Sequence, residues 1–216
     1  MRVYFPKGPG MGMTRKFLDD AYSHDEGEAA RRFYDEWAAT YNEEVADNGY
    51  VTPTRCAEAL KSLLEPPTAA ILDLGCGTGL SGVALRRAGF TAIDGWDPSA
   101  EMLRRAEALH VYRVLRHIDP TKPLDAPAGV YKAVNAAGVM HPGLAPPKAI
   151  DQILGFLASG GLFCFSLNDH AIEDGAHLAH VEAIVERGAA TLRFKEYGEH
   201  LPKRDLKSWV YVIEKP

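Results

Sequence analysis

The sequence has 216 residues, enough for one domain of ordinary size that buries roughly 70% of its unfolded surface without disulfide or metal staples. Hydrophobic residues make up 46% and charged residues 25%, which excludes a disordered or collagen-like chain. A net charge of -5 and three scattered cysteines (Cys56, Cys76, Cys164) with no CxxC pair argue against a polyanion-binding surface, a zinc site and a disulfide scaffold. They suit reduced thiols in the cytoplasm.

Met1 to Met13 are rich in glycine and proline and lack the apolar core of a signal peptide, so 1–13 reads as a flexible tail. No apolar run reaches the roughly 20 residues that would span a bilayer. Thr14 to Tyr22 is a short helical candidate. Ser23 to Glu26 has the form of a capping box. Ala30, Phe33, Tyr34, Trp37, Ala38, Tyr41 and Val45 then recur at spacings of three and four, predicting one amphipathic helix stopped by Asn48-Gly49. Thr52-Pro53 opens another helix, which ends before Pro66-Pro67. From Thr68 strands and helices alternate. Strands are predicted at Ala69–Leu74, Phe90–Trp96, Val111–Ile118, Val130–Ala136 and Leu162–Leu167. Helices are predicted at Gly79–Ala88, Pro98–Leu109, Pro147–Ala158 and His177–Arg187. This order implies βαβ units and a parallel sheet covered on both faces. Ala190–Tyr197 and Ser208–Glu214 are separated only by a loop around Pro202, too short for a parallel crossover, so they predict an antiparallel hairpin. The fold class is α/β: a doubly wound, mostly parallel seven-stranded sheet with N-terminal helices and an antiparallel C-terminal hairpin.

The informative stretch is Ile71-Leu-Asp73-Leu-Gly75-Cys76-Gly77-Thr-Gly79, a strand running into three alternating glycines and then a helix. Glycine there allows a sharp turn and close approach of a ligand, and ligands of doubly wound sheets sit at the carboxyl ends of strands. Gly77, Gly79 and Gly82 fit the spacing of a dinucleotide loop, with Asp97 suitably downstream. The register does not fit, because the glycine that ends the strand is Gly75. A nicotinamide-dependent oxidoreductase therefore stands as an alternative.

Asp73-Leu-Gly-Cys-Gly-Thr-Gly79 resembles motif I of the class I S-adenosylmethionine-dependent methyltransferases. Gly95-Trp-Asp97-Pro98-Ser-Ala-Glu-Met102 resembles that family's segment after the second strand. Ile118-Asp119 resembles its adenine-side acid, Val134 to His141 its loop after the fourth strand, and Ser159 to Phe163 its turn into the fifth. Phe33 to Tyr41 with Asn48-Gly-Tyr50 is similar to the small Williams–Beuren-region methyltransferase-like proteins. The resemblance implies a Rossmann-like methyltransferase domain over 14–216, with a helical lid over 14–66 and an α/β core over 68–216. It implies S-adenosyl-L-methionine as cofactor and no metal. The implied cofactor residues are Asp73, Gly75, Cys76, Gly77, Gly79, Asp97, Pro98, Met102, Ile118, Asp119, Ala137 and Tyr41. Asp97 suits the ribose hydroxyls, since a carboxylate accepts two charge-assisted hydrogen bonds. Asp73 is expected to hold the glycine loop through backbone N–H groups and to face the ammonium, and Asp119 the adenine amine. The bland alternatives are a helix cap at Asp97 and turn chemistry at Asp119.

The implied reaction is in-line methyl transfer, in which the chain aligns the acceptor and excludes water. His141, after the fourth strand, and His170, after the fifth, are the acceptor-side candidates for a general base, with Asn168 and Asp169 beside His170. Asn135-Ala-Ala-Gly138 lacks the prolines of amino-methylating nucleic-acid enzymes, and no cysteine follows a proline. These observations point to a small-molecule acceptor, with no nucleic-acid or membrane partner, for a monomer or homodimer. A non-catalytic S-adenosylmethionine-binding protein is the second alternative.

Overall fold

The computed structural model describes residues 17–21, 27–65 and 68–216. The tail over 1–13, the Ser23–Glu26 box and the Pro66-Pro67 pair lie outside them. Of the helix expected over Thr14–Tyr22, the described part is a 3₁₀ turn at Phe17–Asp19.

Two helices stand where the apolar stripe predicted one. The first, α1 (Glu28–Trp37), closes at Ala38, and α2 (Tyr41–Asp47) begins after Thr40. Thr40 makes the break. Its N–H reaches back only three residues, to Trp37 O, and its hydroxyl donates to Glu44 Oε1 at 2.6 Å. A β-branched residue that bonds its own neighbourhood in this way competes with helix continuation. The bend folds the stripe onto itself. Phe33, Trp37 and Val45 are buried together with Leu201, and the Trp37 and Tyr41 rings lie 4.6 Å apart. The next helix, α3 (Thr52–Lys61), carries Pro53 in its first turn, where a missing N–H is tolerated.

The sheet contains β1 (Ile71–Leu74), β2 (Ile93–Asp97), β3 (Val114–His117), β4 (Ala133–Ala136), β5 (Leu162–Asn168), β6 (Thr191–Leu201) and β7 (Leu206–Glu214). Their order is β3-β2-β1-β4-β5-β7-β6. The first five strands are parallel. β7 runs antiparallel between β5 and β6, so the C-terminal hairpin enters the sheet with its second strand inward. β4 is shorter than expected, because Pro127–Val130 closes a turn and leaves Val130 exposed, and β3 is shorter as well.

The linking helices are α4 (Leu80–Ala88), α5 (Ala100–Glu107), α6 (Ala149–Phe156), α7 (Asp169–Asp174) and α8 (Ala176–Glu186). The short α7 is not visible as periodicity. It forms because Asn168 caps it, accepting from Ala171 N at 3.0 Å, and Gly175 ends it at φ 77°. Alternation along each strand splits the core between two faces. Ile71, Ala133 and Leu162 lie side by side and pack with Cys56, Leu60 and Leu85 of α3 and α4. Leu72, Val134 and Phe163, one residue on, pack with Ile150, Ile153 and Leu154 of α6. Continuous burial of both faces is what a parallel sheet requires. Strand order reverses between β1 and β4, so the loops after β1, β2 and β4 open on one shared edge. Among the described residues, no helix is long and apolar enough to cross a membrane.

Candidate functional site

The loop after β1 is tied to β2 by its backbone. Gly75 N and Cys76 N both donate to Trp96 O, at 2.8 and 3.1 Å. Gly75 has φ 66°, and a Cβ there would stand 2.5 Å from Val139 Cγ2, so only glycine fits. Gly77 differs. Its φ is 53°, yet a Cβ built there would meet no atom within 4 Å. The space over Gly77 is a cavity of about 360 Å³ at the sheet switch point, within the usual range for ligand sites.

Asp97 ends β2 and lines this cavity. Its Oδ2 accepts from Gly77 N and its Oδ1 from Ser99 N, both at 2.8 Å. The cap of α5 is Ser99, whose Oγ accepts from Met102 N, so Asp97 is not needed as a cap. Burial raises the Asp97 carboxyl to about 6, against the pull of the Ser99 and Gly77 N–H groups. Each oxygen keeps a second lone pair for a donor arriving from the cavity.

Gly75, Gly77, Pro98, Met102, Ile118, Asp119, Ala137 and Tyr41 line the same cavity. Asp119 combines both of its expected descriptions. It lies on the wall, but its Oδ1 accepts from Thr121 N and Oγ1, and its Oδ2 pairs with Lys122. These bonds, the Thr121 hydroxyl foremost, lower its carboxyl to about 2.

Three expected cofactor residues lie behind the wall instead. Asp73 is fully buried and accepts from Ser81 Oγ at 2.6 Å, Tyr112 Oη at 2.7 Å and Asn135 Nδ2 at 2.9 Å. Its partners are side chains from α4, the approach to β3, and β4, rather than loop N–H groups, so it braces the loop from below. Burial pushes its carboxyl up and the three donors oppose this. Asp73→Ala should therefore cost about 3 kcal/mol of stability, because it strands three buried donors. A fall in unfolding midpoint checks this; an unchanged midpoint contradicts the brace. Cys76 is buried between the loop and Gly95, and burial pushes its thiol up, away from nucleophilic reactivity. Gly79 serves close packing: a Cβ would stand 2.8 Å from Leu109 Cδ1. Gly82 does the same against Tyr112, so two of the three glycines in the G-x-G-x-x-G spacing serve helix packing.

The N-terminal helices form the opposite wall through Ala30, Arg31, Tyr34 and Tyr41. Two polar links join them to the loops: Thr78 Oγ1 donates to Asn42 Oδ1 at 2.5 Å, and Ser99 Oγ to Asp35 Oδ1 at 2.6 Å.

A second chamber of about 30 Å³ shares Tyr34, Tyr41 and Gly138 with the first. It is also lined by Tyr50, His141, Asn168 and His200. His141 is buried, and its Nδ1 meets Pro142 O at 2.7 Å. His200 is buried with Nδ1 2.7 Å from Thr52 Oγ1. Burial lowers both rings to about 4, so both are neutral at pH 7. His170 does not join them: it is exposed on α7 and lines neither space, because the turn of α7 carries it outward. Asp169 is taken by the hairpin, accepting from Tyr197 Oη and Lys207 N.

The sequence of a methyltransferase domain family matches residues 48–210. Methyltransferase-like protein 27 of Homo sapiens is 35% identical over 155 residues, 70% of this chain. This chain belongs to the class I S-adenosylmethionine-dependent methyltransferase family. The matched region spans 61% of the length of that human methyltransferase-like protein. Two solved structures share the methyltransferase fold at low identity. The [4+2]-cyclase SpnF is 15% identical with a TM-score of 0.71, over 89% of this chain and 97% of its own. A methyltransferase from Thiobacillus denitrificans, solved with S-adenosyl-L-homocysteine, is 15% identical with a TM-score of 0.54, over 75% of this chain and 91% of its own. Family membership argues against the nicotinamide oxidoreductase alternative.

His200 and, after β4, Leu144, Ala145, Pro146, Ala149 and Gln152 also reach these two spaces without having been singled out by sequence. The proline-rich loop after β4 could have been suspected from its position at the switch-point edge. His200 carried no such signal: its partner Thr52 is 148 residues away.

Proposed function

We propose that this chain transfers a methyl group from S-adenosylmethionine to a small-molecule acceptor. The observation that carries this reading is Asp97, a buried carboxylate on the cavity wall that holds Gly77 N beneath open space. A diol can donate to the two Asp97 oxygens, while the bare backbone at Gly77 admits the ligand's flexible chain. Pro98, Met102 and Ile118 supply apolar surface for a flat ring, and Tyr41 lines the same cavity. When bound, S-adenosylmethionine supplies a methyl group on a sulfonium, ready for in-line transfer to a nucleophile.

The small acceptor is favoured by net charge of -5 and by Asn135. The Asn135 side chain donates to Asp73, so it is used inside the brace rather than presented to a base. Three buried, free cysteines fit a reducing compartment, which we take to be the cytoplasm. Binding without methyl transfer is the second reading. Incubation with methyl-labelled S-adenosylmethionine and a broad panel of small acceptors separates the two. Label transfer is the expected outcome, and binding with no transfer to any acceptor favours the second reading.

The raised Asp97 carboxyl sets the pH dependence of binding. In the free chain its pKa is about 6, against 3.8 for the ordinary side chain. The folded free state thus holds this proton more tightly than the unfolded state, and the stability it contributes falls as pH rises from about 4 to about 6. Ligand hydroxyls stabilise the ionised form, so binding expels the proton. Affinity for S-adenosylhomocysteine should fall by about tenfold per pH unit below about 6 and level off above it. Calorimetry from pH 5 to 8 measures this; a flat profile contradicts the contact.

A further inference from the structure

One side chain on the wall of the small chamber has used only one end of its amide. Asn168 ends β5, is 4% exposed and lines the chamber. Its Oδ1 accepts from Ala171 N at 3.0 Å. A backbone N–H can only donate, so the amide oxygen faces α7 and the amide nitrogen faces away from it. That nitrogen carries two N–H donors, and neither meets a protein acceptor among the described residues. What Asn168 offers the chamber is therefore Nδ2. The strand fixes where this donor stands. Ser166, two residues earlier and on the same face of β5, accepts from Gly138 N at 2.8 Å. Gly138 belongs to the walls of both the chamber and the large cavity. The Asn168 amide thus lies one step along β5 from the place where the two spaces meet.

We infer that Asn168 anchors the methyl acceptor, its Nδ2 donating to an uncharged oxygen of that molecule (carbonyl, ether or hydroxyl) seated in the chamber. The inference rests on the methyl-transfer reading above and names a feature of the substrate class for it. Buried donors are normally partnered, and an oxygen lone pair is the partner this amide lacks. Among the described residues lining the chamber there is no Asp, Glu, Lys or Arg, so a carboxylate would enter without a counter-charge. An ammonium has no lone pair for Nδ2 to donate to. The chamber's volume of about 30 Å³ is room for roughly two waters, which suits an oxygen and the carbon that bears it. The body of the acceptor extends past Gly138 into the larger cavity, where Val139, Met140 and Leu144 offer apolar contact. The amide binds and orients the acceptor and moves no proton, so its contribution is alignment.

The test uses the full chain, labelled with ¹⁵N at asparagine and saturated with S-adenosylhomocysteine, with acetone as the probe, since it has a carbonyl oxygen and no donor. Loss of a signal pair in Asn168→Ser identifies the Asn168 side-chain amide. The result expected is that this pair moves saturably with acetone and stays in place with isobutene, which has the same shape without the oxygen, and with methylammonium. No movement with acetone, or equal movement with either control, overturns the inference. Two variants then separate binding from capping. Serine caps a helix about as well as asparagine but is too short to offer a donor to the chamber, so Asn168→Ser should keep the unfolding midpoint within ~3 °C. With the acceptor from the panel that takes most label, it should raise KM about tenfold and leave kcat within about twofold. Asn168→Asp keeps the cap and the shape but turns a lone pair where Nδ2 stood, so it should raise KM further. An unchanged KM in both variants overturns the anchor. Failure of the wild-type chain to bind S-adenosylhomocysteine at all sinks the methyl-transfer reading itself, whereas binding with the Asn168 amide unmoved by acetone sinks the anchor alone.

Discussion

Gly77→Val should abolish detectable S-adenosylhomocysteine binding while leaving most of the stability in place. The backbone cost is that of a β-branched residue in the left-handed region, at φ 53°, of order 1–2 kcal/mol. Packing adds little, since a Cβ there meets nothing within 4 Å. The valine methyls fill the space where the ligand approaches the loop, so the loss falls on binding. Gly79→Val is the control with the opposite signature. Its Cβ would stand 2.8 Å from Leu109 Cδ1 and 3.4 Å from the Ala106 backbone, so it should lower the unfolding midpoint. Thermal unfolding and calorimetry on both variants separate the two roles. A Gly77→Val chain that binds normally would remove the glycine loop from the site.

Asp97→Ala should weaken S-adenosylhomocysteine binding by about 100-fold or more, since hydrogen bonds to a charged group contribute roughly 1.5–3 kcal/mol each. Two effects add. The ligand's hydroxyls lose their acceptor, and Gly77 N loses the Oδ2 that fixes it at 2.8 Å. Asp97→Asn separates them partly, because an amide keeps one acceptor oxygen but turns an NH₂ toward one of the N–H groups of Gly77 and Ser99. It should fall between wild type and Asp97→Ala. Calorimetric titration of the three chains is the check, and equal affinities would mean that the carboxylate serves the loop alone.

The residues legible in sequence are those whose role is set by a strand end. Gly75, Gly77 and Asp97 each follow or finish a short apolar strand, and the parallel alternation brings strand ends to one edge. The topology was legible for the same reason: spacing of strands and helices distinguishes a crossover from a hairpin. Asp73 was legible as a site-region residue but not in its role. The donors that turn it inward, Tyr112 and Asn135, come from 39 and 62 residues further on. His200 was illegible, because nothing local marks a hairpin residue that closes on Thr52. For His170 proximity to a strand end suggested a site, and the capped turn of α7 places it at the surface. The break at Thr40 was hidden by an apolar stripe that is continuous in spacing but interrupted by one hydroxyl that bonds locally.

We propose that the cavity between Gly77, Asp97 and the N-terminal helices takes S-adenosylmethionine. Titration calorimetry of the wild-type chain with S-adenosylmethionine, S-adenosylhomocysteine and both nicotinamide dinucleotides tests it most directly. Single-site binding of the two adenosyl compounds, with none of the dinucleotides, is the predicted result. No heat and no competition with the adenosyl compounds, or binding of a nicotinamide dinucleotide in their place, would contradict it.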